Sequence, residues 1–157
     1  MTKRQHLKNL MYTMRQHSPQ FDYVEERPMT LTKLSETQFL SELHKGSRFK
    51  SDCSETVTAV FKWSGFKDPN GMGYDNYGNS ETMLNYLRHF FHARFANIGT
   101  IVHFQNPDHV GIVYKTSLIR GNPLIWEHGA PGIAIVPLSV EKQFHSGTVT
   151  FLSILKL

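Results

Sequence analysis

TIVHFQNPDHVGIVY, residues 100–114, holds two short apolar runs on either side of a turn. Pro107 and Asp108 are turn formers, and Val110, Ile112, Val113 and Tyr114 are good strand residues. A histidine, His109, stands at the head of the second run. Further β-rich runs follow at short intervals: PLIWEH (123–128), IAIVPL (133–138) and TVTFLSIL (148–155). Turn residues separate them, which is the texture of an antiparallel meander. Upstream of Gly99 the period is helical instead. KRQHLKNLMYTMRQH (3–17) places Leu7, Leu10, Met11 and Met14 on one face, and Ser18-Pro19 stops it. SETQFLSELHKG (35–46) reads as a short helix, with Ser35 and Gln38 as a capping box and Gly46 as its stop. Residues 54–63 are helical again and close at Gly65, and SETMLNYLRHFFHARF (80–95) is a further helix opened by Ser80. QFDYVEERPM (20–29) is irregular or extended. KDPNGMGYDNYGN (67–79) is a Gly/Asn-rich loop. Helices first and strands after predict an α+β class, with N-terminal helices packed on an antiparallel sheet. The 157 residues, 39% of them hydrophobic, suit a single domain over 1–157.

Composition narrows the chemistry. The formal charge is +4, so an anionic surface is a plausible neighbour. The basic residues are scattered, and Lys3, Arg4 and Lys8 read as the solvated face of one helix, so nucleic acid is not expected as a partner. No apolar run is long enough to insert in a membrane, and the N-terminus has no signal-peptide core. The expectation is a chain made in the cytosol, working as a monomer without cofactor or metal. The single cysteine, Cys53, excludes an internal disulfide.

That cysteine sits in KSDCSETVTAVFKWSG (50–65). Asp52 and Glu55 have the D-x-x-E spacing of a capping box, which makes Asp52 the N-cap and Cys53 the first helical residue. A thiol there lies beside unpaired backbone N–H groups and the positive end of the helix dipole, which favours the nucleophilic thiolate. The alternative is a small buried hydrophobe. A cysteine nucleophile needs a base and a group to orient the base. Of nine histidines, His6, His17, His44, His89, His92 and His145 read as surface or packing residues. His109 starts one strand and His128 ends the next, so pairing as a hairpin would set them at one edge of the sheet. His103, in the preceding strand, is the less favoured candidate. One Cys and two His are also a possible zinc set, although no short ligand pair is present.

The order of Asp-Cys-Ser at a helix start, His-Val-Gly-Ile on a strand and a histidine on the next strand resembles the NlpC-type cell-wall cysteine peptidases. Within them it is most similar to the peptidase domains of actinobacteriophage endolysins. KWSGFKDPNGMGYDNYG (62–78) resembles the segment after their nucleophile, EHGAPGIAIVPLS (127–139) the segment carrying the third triad member, and YVEERPM (23–29) a segment before the nucleophile. The resemblance spans about residues 23–138. It implies a circularly permuted papain-like fold and a Cys-His-His triad of Cys53 (nucleophile), His109 (base) and His128 (orienting group). It also implies cleavage of amide bonds in peptidoglycan stem peptides. Tyr23 would border the site, or simply pack. Asp52, Ser54 and Tyr74 would support it, the last from the loop that lines the cleft. Such a protein is made in the host cytoplasm and acts on the cell wall after release or as a virion component. The chain departs from the family in having Asp-Cys-Ser-Glu where Asp-Cys-Ser-Gly is usual, and a carboxylate near Cys53 opposes thiolate formation. A fold relative with a binding or structural role in a phage is therefore the alternative.

Overall fold

The structure is a computed structural model and describes residues 1–87, 95–117 and 121–154. It opens with α1 (Lys3–Gln16), whose Leu7, Leu10, Met11 and Met14 are all buried, as the helical spacing predicts. Burying each such side chain contributes roughly 1.5–3 kcal/mol relative to exposure, and this stripe fixes α1 to the rest of the chain. A 3-10 turn at Ser18–Gln20 ends the helix and leads into β1 (Phe21–Tyr23). After α2 (Glu36–His44), which carries the expected Ser35/Gln38 capping box, β2 (Phe49–Ser51) pairs with β1 in parallel. This two-stranded piece falls partly in a stretch that reads as irregular or extended in sequence. Three-residue strands give too few alternations to register as a pattern.

The central helix, α3 (Cys53–Trp63), is buried along nearly its whole length. It ends in a Schellman motif: Gly65, at φ +72°, donates to the Lys62 carbonyl, and Phe66 donates to Phe61. A non-glycine residue would strain there. A short helix, α4 (Ser80–Tyr86), follows the Gly/Asn-rich loop. Asn79 is its N-cap, in a box with Thr82. The rest of the predicted 80–95 helix, with His89 and His92, lies largely outside the described residues.

The C-terminal half is the antiparallel sheet expected from the strand spacing. Its strands are β3 (Ile101–Phe104), β4 (His109–Lys115), β5 (Leu124–Gly129), β6 (Gly132–Pro137) and β7 (Val149–Leu152), with α5 (Leu138–Glu141) between the last two. The order is β6-β5-β4-β3-β7, a meander with the last strand returning to the free side of β3. Strand alternation splits the apolar side chains between two faces. Ile101, Val110, Ile112 and Trp126 meet the helices, where the Trp126 indole N–H donates to the Met11 carbonyl at 2.9 Å. Val102, Phe104, Val113 and Ile125 form the second face, beneath Leu138 and Phe151. The class is thus α+β, with α3 lying against β4 and β5. No helix of the described residues is long and apolar enough to cross a membrane.

Candidate functional site

Asp52 stands just ahead of α3 in extended conformation and caps it. Its Oδ1 accepts from the Glu55 backbone N–H at 2.7 Å and from the Ser54 hydroxyl at 2.8 Å. Cys53 is therefore the first helical residue, as the sequence predicts. The other half of the predicted box does not form. Glu55 turns away from Asp52, and its Oε1 accepts from the Leu31 backbone N–H at 2.5 Å. It thereby anchors the 3-10 turn Leu31–Lys33, whose first N–H groups would otherwise be unpaired. Burial, only partly offset by this backbone bond, pushes the Glu55 carboxyl up to about 7. The charge that this residue sets near the thiol is accordingly partly titrated away at neutral pH.

Cys53 lies in the wall of a cleft of about 500 Å³, beside Tyr23, Arg27, Asp52, Tyr77 and Asp108. The Tyr23 hydroxyl donates to Cys53 Sγ at 3.7 Å. Burial and the adjacent sulfur hold that phenol well above its ordinary range, so it remains a donor. Arg27 ties the site together. Its Nη2 contacts Asp52 Oδ2 at 2.8 Å and donates to Ser54 Oγ at 2.9 Å, and its Nε donates to the Gly78 carbonyl at 3.1 Å. One guanidinium thus joins the start of α3 to the loop on the far side of the cleft.

His109, the first residue of β4, reaches the Cys53 side chain from the sheet. Its Nε2–H donates to Glu127 Oε2 at 2.9 Å. Burial alone would lower its pKa. The hydrogen bonds and charges of Cys53 and Glu127 outweigh that and push it up to about 10. The side chain hydrogen-bonded to His109 is Glu127 and not the expected His128. In the hairpin register Glu127 lies opposite Gly111, so Glu127 and His109 share a side of the sheet while His128 projects to the other. Gly111 permits the approach, because a Cβ there would come within 2.6 Å of Ile125 and 2.9 Å of the Trp126 carbonyl. His128 instead packs under α3. Its Nδ1 is 2.9 Å from Thr56 Oγ1 and 3.3 Å from Ser51 Oγ. The Thr56 hydroxyl donates to the Asp52 carbonyl at 2.6 Å, so His128 Nδ1 carries the proton in that bond. Burial drives the His128 pKa down to about 4, which keeps the ring neutral. Its edge-on contact with Tyr23, 5.3 Å between centroids, makes it a support for that tyrosine.

The remaining expected residues are placed as follows. Asp52 and Ser54 shape the helix start. Tyr74 is not beside the thiol: its hydroxyl donates to the Phe66 carbonyl and its backbone N–H to Asp68, so it braces its own loop. His103 is buried with neither ring nitrogen hydrogen-bonded, and burial lowers its pKa. A zinc set of Cys53, His109 and His128 does not assemble among the described residues. The ligand atoms that do converge, within 4.8 Å of one another, belong to His109, Glu127 and Glu141. A divalent cation would use those atoms. Their 2.9 Å His109–Glu127 contact is that of a direct hydrogen bond, and the group acts as a charge cluster around one imidazole. Glu127, Glu141 and Arg27 escape a sequence reading because strand register and long-range pairing select them. The only local hint was Glu127 next to His128 on the same strand. Compared with known proteins, the chain matches no family model, no curated protein and no solved structure.

Proposed function

We propose that the chain is a cysteine amidohydrolase with a permuted papain-like fold, using Cys53 as nucleophile, His109 as acid and base, and Glu127 as orienting group. The observation that carries this reading is the contact of a helix-start cysteine, itself in the wall of a cleft, with a buried, carboxylate-held histidine. The substrate we propose is an amide bond of a peptidoglycan stem peptide. The resemblance of DCS, HVGI and EHGAPG to the phage cell-wall peptidases supports that choice.

In the reaction the Cys53 thiolate adds to the carbonyl carbon, and the backbone N–H at the helix start helps to hold the oxyanion. The imidazolium of His109 then gives its proton to the leaving amine, and a thioester remains on Cys53. Acylation removes the thiolate charge, one of the two influences that raise the His109 pKa. The imidazole is then freer to deprotonate the water that hydrolyses the thioester. Glu127 keeps the ring in one tautomer through both steps.

The test is digestion of purified peptidoglycan with the intact chain, followed by mass spectrometry of the released peptides. Cleavage that vanishes in Cys53→Ala and on iodoacetamide treatment, and survives a chelator, is the expected result. Full cleavage by Cys53→Ala would remove Cys53 as nucleophile, and no released peptide from the wild-type chain would move the protein to the binding or structural reading. Loss on chelation would assign the chemistry to a cation at His109, Glu127 and Glu141.

A further inference from the structure

His145 follows α5 in a segment with no feature that marks it as functional. Its ring nevertheless stacks on His109, 5.6 Å between centroids and 17° from parallel, and on Phe104 at 4.9 Å. Both its nitrogens are engaged. Nδ1 lies 2.7 Å from the Pro107 carbonyl oxygen, and Nε2 lies 3.1 Å from Glu141 Oε1. The same Glu141 oxygen is 4.0 Å from His109 Nε2. Glu141 is 8% exposed, and a carboxylate that buried needs partners. The two imidazoles supply them.

We infer that Glu141 and His145 are a positioning pair that fixes the plane and approach of the His109 ring. The inference rests on the reading of His109 as the acid and base. His145 restrains the ring by stacking, and by binding Pro107 it also fixes the turn that delivers His109 to the head of β4. Glu141 joins that brace to the charge cluster. A general acid must be held to within fractions of an ångström, and a buried imidazole with one carboxylate partner would still rotate about that bond. The groups that face His109 are Cys53 from α3, Glu127 from β5, Glu141 from α5 and His145 from the following segment. At longer range the charge of His109 helps to lower the pKa of His103 and His128.

The pair predicts two shifts of opposite sign. Glu141→Gln removes a negative charge near His109 and lowers the midpoint of its titration. His145→Ala removes the partner of Glu141 Oε1 and leaves that carboxylate to bear on His109 alone, so the midpoint rises. Imidazole NMR across pH reads both midpoints in the intact protein. On a released-peptide assay, each variant lowers kcat on the order of tenfold with little change in KM, because the loss is in alignment. His145→Gln, which keeps a donor for Glu141, recovers part of it. Unmoved His109 midpoints and an unchanged kcat, with only a lower Tm, would overturn the inference. Should His145→Ala fail to fold, Glu141→Gln, equal in size, decides by the same midpoint. If the wild-type chain cuts no peptidoglycan, the amidohydrolase reading fails separately. The NMR shifts then still support or overturn the pair.

Discussion

Glu127 and His128 are adjacent on β5, yet their surroundings give them opposite electrostatic roles. His128 is buried among Phe21, Tyr23 and the hydroxyls of Ser51 and Thr56, none of which carries charge, and its pKa falls to about 4. A ring that stays neutral through the physiological range neither relays a proton nor balances an imidazolium. Glu127, one step along the strand, faces His109 and helps to raise its pKa to about 10. Replacing Glu127 by Gln leaves the volume unchanged but removes the charge, and lets an amide N–H compete for the wrong tautomer of His109. The expected loss in kcat is about 10²–10⁴-fold, read by steady-state kinetics on peptidoglycan peptides. His128→Asn keeps a donor for Thr56 and should retain most of its kcat. The reverse ranking of the two variants would return the third role to His128.

At the scale of elements, the start of α3 depends on a tie that crosses the cleft. The Asp52 cap is closed by Arg27, and Arg27 also holds the Gly78 carbonyl and the Ser54 hydroxyl. Lysine cannot reproduce a planar fork that serves three partners. Arg27→Lys should therefore cost about 1–3 kcal/mol, read by urea unfolding, since it leaves buried Asp52 partly unpaired. Cys53 should also alkylate with iodoacetamide at a different rate from wild type at one fixed pH, because the helix start that presents it is loosened. A variant as stable as wild type, with the same alkylation rate, would show the tie to be dispensable. The start of α3 was half legible in the sequence, because Asp52 acts on a backbone group three residues away and such local geometry is written in spacing. Glu55 was misassigned because its partner, Leu31, is 24 residues distant, and no spacing rule reaches that far. The strands of the sheet were legible from alternation, and so was the approach of His109 to one edge. The register between β4 and β5 was not. A one-residue difference there exchanges the faces of Glu127 and His128, and the sequence contains both residues side by side.

For the molecule as a whole, three buried groups with displaced pKa values set how stability follows pH. His128, near 6.5 when unfolded and about 4 when folded, makes folding less favourable as pH falls from about 6.5 to 4, by up to about 3 kcal/mol. Glu55 works in the opposite direction over the same window. Its carboxyl is near 4.5 unfolded and about 7 folded, so the folded state binds its proton first and gains stability on acidification. The stabilising contribution of His109 is complete below about 6.5 and is lost as pH rises toward about 10. The wild-type protein should accordingly hold a nearly level Tm between pH 4.5 and 6.5 and decline as pH rises beyond about 6.5. Glu55→Gln keeps an acceptor for the Leu31 N–H but no longer titrates, so the acid penalty of His128 stands uncovered. Its Tm should fall on acidification by roughly 6–12 °C, taking about 2–4 °C per kcal/mol for a chain of this size. His128→Asn should do the reverse and gain Tm as pH falls, while the double variant returns to a level profile. Scanning calorimetry of the four proteins across pH 4–10 checks all of this. Parallel profiles for wild type and both single variants would mean that neither buried group titrates as its surroundings require.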